Sequence, residues 1–471
     1  MKRYGLISCV IIALFSVFTL NGCSSEETDS DTITLRVANC EEYIDIGEEG
    51  NIIDLENGTV INAENAIYED FEDWYYEKYG QKVKVLYSTY GTNEDLYNQM
   101  TIGDVYDLAC PSEYMIMKMM REGLLQPYSE EFKDPSIEDN YYAKGVSPFI
   151  RDTFSELSIN GESLDNYAAG YMWGTLGLVY NPELVSKEDA SSFNILLDKN
   201  YSKRITIKDS VRDTYFAALT ICYYDEITDP SFISDPNYRA NLSDVLNRTD
   251  EETVNRIEEI LSQAKDNVYA FETDAGKSDL ITGKVVANAQ WSGDAVYTMD
   301  QAEEDEVYLC YQTPEEGANL WFDGWVMLKK GISEDTRKQQ AAEAFLNYIS
   351  MPESVIRNMD YIGYTSCISG GDSDLIFEYL DYNYGAEEDE EDVVDYPLGY
   401  FFGGDDMEDA DEVYCLTVPE EQLNRQLSAQ YPSRETIEKT VVMRCFEDED
   451  NERINRMWTN VRCFDLKSIF G

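Results

Sequence analysis

Residues 82–128 limit the fold more than any other stretch, reading KVKVLYSTYGTNEDLYNQM and then YDLACPSEYMIMKMMREGLLQPY. Val83, Val85 and Tyr87 alternate with polar neighbours, the period of a half-buried strand, which is expected to run into a Ser-Thr-Tyr-Gly turn at 88–91. Leu96, Tyr97 and Met100 then mark a helix, and 106–110 read as a buried strand that stops at Pro111-Ser112. In a parallel α/β layout such strand ends face a ligand crevice, so Ser112 and Tyr114 fall where recognition takes place.

The same rhythm runs along the chain. Residues 33–39 alternate as a strand that ends at Cys40-Glu41-Glu42-Tyr43, and 64–79 place Ile67, Phe71, Trp74 and Tyr75 at helical spacing with Gly80 as a stop. A continuous apolar run begins at Tyr171, 204–208 form a strand, and Asp209 opens a helix through Ala217 and Ala218. A second amphipathic helix covers 251–264, strands follow at 285–291 and 324–328, and a helix at 336–349 closes that unit. Strands alternating with helices argue for α/β lobes with mainly parallel sheets. The roughly 440 residues beyond the N-terminal segment suit two domains of about 100–200 residues each. Between 385 and 413 the acidic blocks EEDEED and DDMEDADE flank an aromatic YFF, and such blocks read as a solvated loop.

Lys2 and Arg3 precede an apolar run from 6 to 20, and Leu20-Asn21-Gly22-Cys23 leads into a polar stretch. The pattern is a secretory signal over 1–22 ending at a lipobox-like site, too short to span a bilayer. The mature chain is expected to start at a lipidated Cys23, with 23–32 as a tether, and to sit at the outer face of the cell membrane. The formal charge is −57; removing Lys2 and Arg3, with no acid in the first 22 residues, takes it to −57 − 2 = −59. Nucleic acid is repelled by such a chain, whereas a cationic small molecule is drawn in. The chain has no histidine, which excludes Ser-His-Asp and Cys-His hydrolysis and His-ligated metal sites. Eight cysteines follow Cys23 without a C-x-x-C pair, so disulfides are permitted and no pairing is assigned. No cofactor or metal is expected.

The stretch over 82–128 closely resembles the spermidine/putrescine-binding proteins of polyamine ABC transporters, which share the YSTY, the YDL…PS-x-Y and the K-M-x-x-E-G-x-x-Q pattern. This resemblance implies the two-lobed type II periplasmic-binding-protein fold, with crossovers near Gly174, Phe322 and Gly371. Lobe one is then 33–174 plus 323–371, and lobe two 175–322 plus 372–471, which includes the acidic insertion.

A polyamine needs carboxylates at the spacing of its nitrogens and flat apolar walls between them; aromatic faces cover methylenes and attract cations at roughly 0.5–2 kcal/mol each. The family pattern supplies candidates in order. Tyr43 stands in Asn39-Cys40-Glu41-Glu42-Tyr43, where Cys40 replaces the family's tryptophan and Glu41 or Glu42 adds charge. Ser112 and Tyr114 end the third strand, and Asp209-Ser210-Val211-Arg212-Asp213 matches D-D-x-R-E, with Ser210 in place of a carboxylate and Asp213 on a terminal ammonium. Trp291-Ser292-Gly293-Asp294 resembles the W-x-G-D of putrescine receptors, and Trp321-Phe322-Asp323 matches W-x-D, making Asp323 the leading amine-binding carboxylate. Tyr364 completes the aromatic box.

Taken singly, these residues have ordinary structural readings: tryptophans in a core, Asp209 as a helix N-cap, Asp213 and Asp294 favoured by helix N-termini. Their joint order across more than 300 residues favours a cleft. The implied function is a non-enzymatic, monomeric receptor that closes two hinged lobes on putrescine or spermidine and presents the closed shape to a permease. Alternatives are a receptor for another organic cation, an acid-pair glycosidase, or a surface adhesin.

Overall fold

A computed structural model describes residues 31–463 apart from 388 and 406. The expected signal, Cys23 and nearly all of the tether lie outside the described residues. Among the described residues no helix is long and apolar enough to cross a membrane.

Strand β1 (Ile33–Cys40) is followed by helix α1 (Ile67–Tyr79), strand β2 (Val83–Tyr90), helix α2 (Asn93–Ile102), the short strand β3 (Leu108–Ala109) and helix α3 (Glu113–Arg121). Ile67, Phe71 and Tyr75 recur at a spacing of four, so one face of α1 is buried, and Gly80 ends it at φ 67°, a left-handed conformation that costs glycine little. β1 pairs in parallel with β2 from Ile33↔Val83 to Cys40↔Tyr90 and with β3 at Val37↔Leu108. β2 therefore continues to Tyr90 where a turn is expected from Ser88, because β1 offers a pairing partner along that whole length. β3 is shorter than expected, though its flanks still bond to β1, Asp107 N–H to Arg36 O and Cys110 N–H to Ala38 O.

After helix α4 (Pro148–Glu156) comes strand β4 (Ala168–Tyr180), all of whose residues are buried. Next come β5 (Ile205–Lys208), α5 (Val211–Cys222), α6 (Glu251–Asn267), β6 (Ala270–Glu272), β7 (Ala287–Trp291), α7 (Ser292–Glu304), β8 (Cys310–Gln312) and β9 (Ala318–Leu328). Helix α5 is capped by Ser210, whose hydroxyl accepts from the Asp213 N–H, and not by Asp209, which instead pairs with Arg462 at 2.6 Å. β9 begins six residues earlier than expected, so Trp321 and Asp323 lie within a strand.

The strand order is β6-β5-β7-β4-β9-β3-β1-β2. β4 and β9 are antiparallel and join the two groups of parallel strands. Ala168–Thr175 of β4 pair with β9, whereas Leu176–Tyr180 pair with β7. The β4–β9 register shifts between Asp323 and Gly324. The extra residue is Tyr171 of β4, left unpaired opposite the Asp323–Gly324 step.

Helices α8 (Thr336–Ile349) and α9 (Pro352–Ile362) and strand β10 (Thr365–Ser366) follow, then α10 (Leu375–Tyr384) and a hairpin of β11 (Val393–Pro397) and β12 (Cys415–Pro419). The aromatic stretch between these two strands is core: Phe401 stacks on Trp173 at 5.6 Å, Tyr400 meets Phe149 at 5.6 Å, and the Ser147 hydroxyl donates to Phe401 O at 2.7 Å. Residues 375–418 thus pack on α4 and β4, while the acids described beside them face solvent. β13 (Thr440–Val442) returns to pair with Ala318–Leu320, and α11 (Asp448–Cys463) sets Ile454, Met457 and Val461 against α6. Among the described residues the eight cysteines from Cys40 to Cys463 are free thiols.

Candidate functional site

β1 ends at Cys40, and the chain must turn before Tyr43 can face inward. Glu42 adopts φ 54°, and Asn39 Nδ2 donates to Tyr43 O at 2.8 Å, folding the loop back on its own strand. Tyr43 is consequently buried, with its ring edge-on to Tyr171 and to Tyr364, both at 5.5 Å. The same turn sends Glu41 and Glu42 outward, where both are exposed, so neither expected acid joins the cluster.

The Tyr43 hydroxyl donates to Asp323 Oδ2 at 2.6 Å. Ser112 forms a β-bridge with Asp323 and also hydrogen-bonds its carboxylate. Burial raises the Asp323 pKa, and the Ser112 and Tyr43 bonds partly restrain it. None of the ion pairs among the described residues involves Asp323.

Tyr364 joins this cluster to the next. Its ring lies 5.6 Å from Trp321 and its hydroxyl donates to Asp294 Oδ1 at 3.1 Å. Gly293 makes room for it: a Cβ there would lie 1.9 Å from Tyr364 Cδ1. Gly174 plays the same part under Trp321, since its Cβ would be 2.2 Å from Ser292 Oγ and 2.6 Å from Trp321 Cζ2.

Asp294 already has cationic partners. Lys208 Nζ lies 2.7 Å from Oδ2 and Lys277 Nζ 3.1 Å from Oδ1. Burial by itself would raise the Asp294 pKa, but the two ammonium groups outweigh it and hold the carboxyl below its ordinary value. Lys208 also donates to Thr273 O at 2.9 Å and sits 4.6 Å over the Trp291 ring. Asp213 is buried beside Ser210 and Trp291, and desolvation raises its pKa against the pull of their hydrogen bonds.

Glu113 lies beside these residues although no sequence motif points to it. It stands first in α3, between Ser112 and Tyr114, and is 3% exposed, with Oε2 lacking a hydrogen-bond partner among the described residues. Burial pushes its pKa up to about 8; Arg212, 4.0 Å away, pulls it down, while Asp323 and Asp213 push it further up. Arg212 in turn lies 4.2 Å over the Tyr114 ring and donates to Met443 O and Arg444 O at 3.3 and 3.2 Å. The only local signal for Glu113 is its place between two flagged residues. Lys208, at the last position of β5, gives no signal at all until Asp294 is brought beside it.

Tyr43, Ser112, Tyr114, Ser210, Asp213, Trp291, Asp294, Trp321, Asp323 and Tyr364 therefore form one linked set around β4 and β9, with Trp321 and Asp323 inside β9 itself. It offers aromatic walls, a carboxylate without an ion partner among the described residues, and no histidine. The walls touch one another, and two cavities of about 430 and 550 Å³ lie elsewhere, beside Tyr97 and Tyr106 and beside Arg36 and Tyr106. Admission of a ligand between the walls therefore needs them to part.

Comparison with known proteins agrees with this architecture. The spermidine/putrescine-binding periplasmic protein of Salmonella typhimurium is 24% identical over 284 residues, 60% of this chain and 70% of the relative. The putrescine-binding periplasmic protein SpuD of Pseudomonas aeruginosa is 26% identical over 293 residues, 59% and 70% of the two chains. Among solved structures, the spermidine/putrescine ABC transporter substrate-binding protein PotD of Streptococcus pneumoniae superposes with a TM-score of 0.58 at 22% identity, covering 91% of this chain and 98% of that one. A putative spermidine/putrescine ABC transporter from Listeria monocytogenes gives 0.59 at 20% identity, covering 92% and 99%. The fold is the type II periplasmic-binding-protein fold. The profile of the family described as bacterial extracellular solute-binding protein matches residues 66–372, and with well over half of its length matched the chain belongs to that family.

Proposed function

We propose that this solute-binding protein captures a polyamine outside the cell and delivers it to the permease of an ABC importer. The observation that carries this reading is Asp323, a carboxylate held by Tyr43 and Ser112, unpaired with any cation among the described residues, and flanked by Tyr43, Tyr364 and Trp321. An alkyl ammonium supplies what that group lacks, a charge-assisted donor, and its methylenes fit between rings. The names of the relatives point to the same ligand class, and a net charge of −57 favours encounter with a cation.

Capture uses two lobes, 33–174 plus 323–371 and 175–322 plus 372–471, with residues 375–418 seated on the first. β4 and β9 cross between the lobes and act as the hinge, so ligand favours the closed form through contacts made only there. No bond of the ligand is made or broken. Lipid on Cys23 holds the receptor, a monomer, at the outer face of the membrane, and a Cys23→Ser chain is expected in the soluble fraction.

Calorimetric titration with putrescine and spermidine tests the ligand class. Binding should also raise the melting temperature in step with the ratio of ligand to its Kd. If neither amine gives heat or a thermal shift, the polyamine reading falls.

A further inference from the structure

The side chain of Lys208 is a four-methylene chain ending in an ammonium group, the same chemical unit as an aminobutyl arm of a polyamine. It is 2% exposed and held as such an arm would be: Nζ at 2.7 Å from Asp294 Oδ2, at 2.9 Å from Thr273 O, and 4.6 Å over the Trp291 ring. From the geometry we infer that Lys208 is a built-in occupant of one amine subsite, so that the chain is a receptor for a diamine and rejects a triamine. This inference rests on the polyamine reading above.

The charge on either side of the box supports it. Asp294 already meets two ammonium groups, since Lys277 Nζ is 3.1 Å from Oδ1, so a ligand nitrogen brought there would face like charges. At the other end, among the described residues, Asp323 has no ion pair and Glu113 Oε2 has no hydrogen-bond partner. Arg212, 4.0 Å from Glu113 Oε1, is the cation beside Glu113, while Asp213 sits near both Arg212 and Lys208. Places for ligand ammonium groups are therefore confined to the end of the cleft around Asp323 and Glu113. A third nitrogen finds its place at Trp291 and Asp294 taken.

The full chain and its Lys208→Met variant are titrated calorimetrically with putrescine and with spermidine. The natural chain should bind putrescine at least about tenfold more tightly, and the variant should shift the ratio toward spermidine by at least about tenfold as the vacated aminobutyl position admits a ligand arm. Spermidine binding the natural chain as tightly as putrescine overturns the inference and leaves the polyamine reading standing, as does an unchanged ratio in a folded variant. Binding of neither amine overturns both. Should Lys208→Met fail to fold, Lys208→Gln serves for the variant ratio, and the natural chain's own preference remains decisive.

Discussion

Tyr43 and Asp323 are 280 positions apart in sequence, and the phenol of one donates to the carboxylate of the other at 2.6 Å. The contact joins a loop after the first strand to the interior of β9, where its register with β4 shifts. Asp323→Asn keeps the shape and removes the charge, and it should weaken diamine binding at least about tenfold, or roughly 1.4 kcal/mol. Unchanged affinity in calorimetry would remove Asp323 from the amine contact. Tyr43→Phe should have a smaller effect, because Ser112 still bonds the carboxylate.

Glu113 gives the protein a pH dependence of definite sign. Its pKa rises from 4.5 to about 8 on folding, chiefly through burial, with Arg212, Asp323 and Asp213 as the charged neighbours. Between those two values the folded state holds the extra proton. Its contribution to stability is therefore largest below pH about 4.5 and is lost as pH rises through about 8, at a slope of up to roughly 1.4 kcal/mol per unit. A bound ammonium favours the ionised form, so amine affinity should rise with pH and level off above about 8, with proton release on binding. Urea melts and titrations from acid to mildly alkaline pH check both slopes, and Glu113→Gln should flatten them. Equal slopes in that variant would assign them to another group.

Local pattern carried much of the fold. Helix α8 runs over Thr336–Ile349 as its apolar spacing says, and α1 stops at Gly80. Ordered motifs also picked out the aromatic box and three of its acids, of which Asp213 and Asp294 lie in the first turn of a helix and Asp323 lies within β9. What local pattern lacks is the partner of a charge. Asp294 looks like a free acid until Lys208, 86 residues earlier, reaches it through the pairing of β5 with β7. Glu41 and Glu42 look like cleft acids until the left-handed turn at Glu42 points them to solvent. The acidic run at 385–413 hid an aromatic plug for the same reason, because charge density says nothing of which few rings find a core.

Gly293 allows a steric test of the box. A methyl at this position would overlap the Tyr364 ring at 1.9 Å, and the helix backbone on which it sits has little freedom to move. Gly293→Ala should displace Tyr364 from Asp294 and Trp321 and lower stability by about 1–3 kcal/mol, as other overpacked sites do. Diamine affinity should fall with it. A variant with natural affinity and melting temperature would show that Tyr364 is not held by this contact.

Arg357 ties the Tyr43 loop to the helices behind it. Its guanidinium is 5% exposed and meets Asp45 Oδ2 at 2.7 Å, Asp70 Oδ2 at 2.7 Å and Asn65 O at 2.6 Å, and Asp45 follows Tyr43 by two residues. Arg357→Met removes the cation and strands a buried Asp45, for which about 3–5 kcal/mol of lost stability is expected. Replacing both, with Asp45→Asn beside Arg357→Met, should recover part of that loss, because the uncompensated charge goes too. The loop holding Tyr43 loses its anchor in either case, so diamine affinity should stay depressed in the double variant even where stability returns. Urea melts and titration of the same three proteins separate the two effects, and full recovery of both in the double variant would show that Arg357 acts on folding alone.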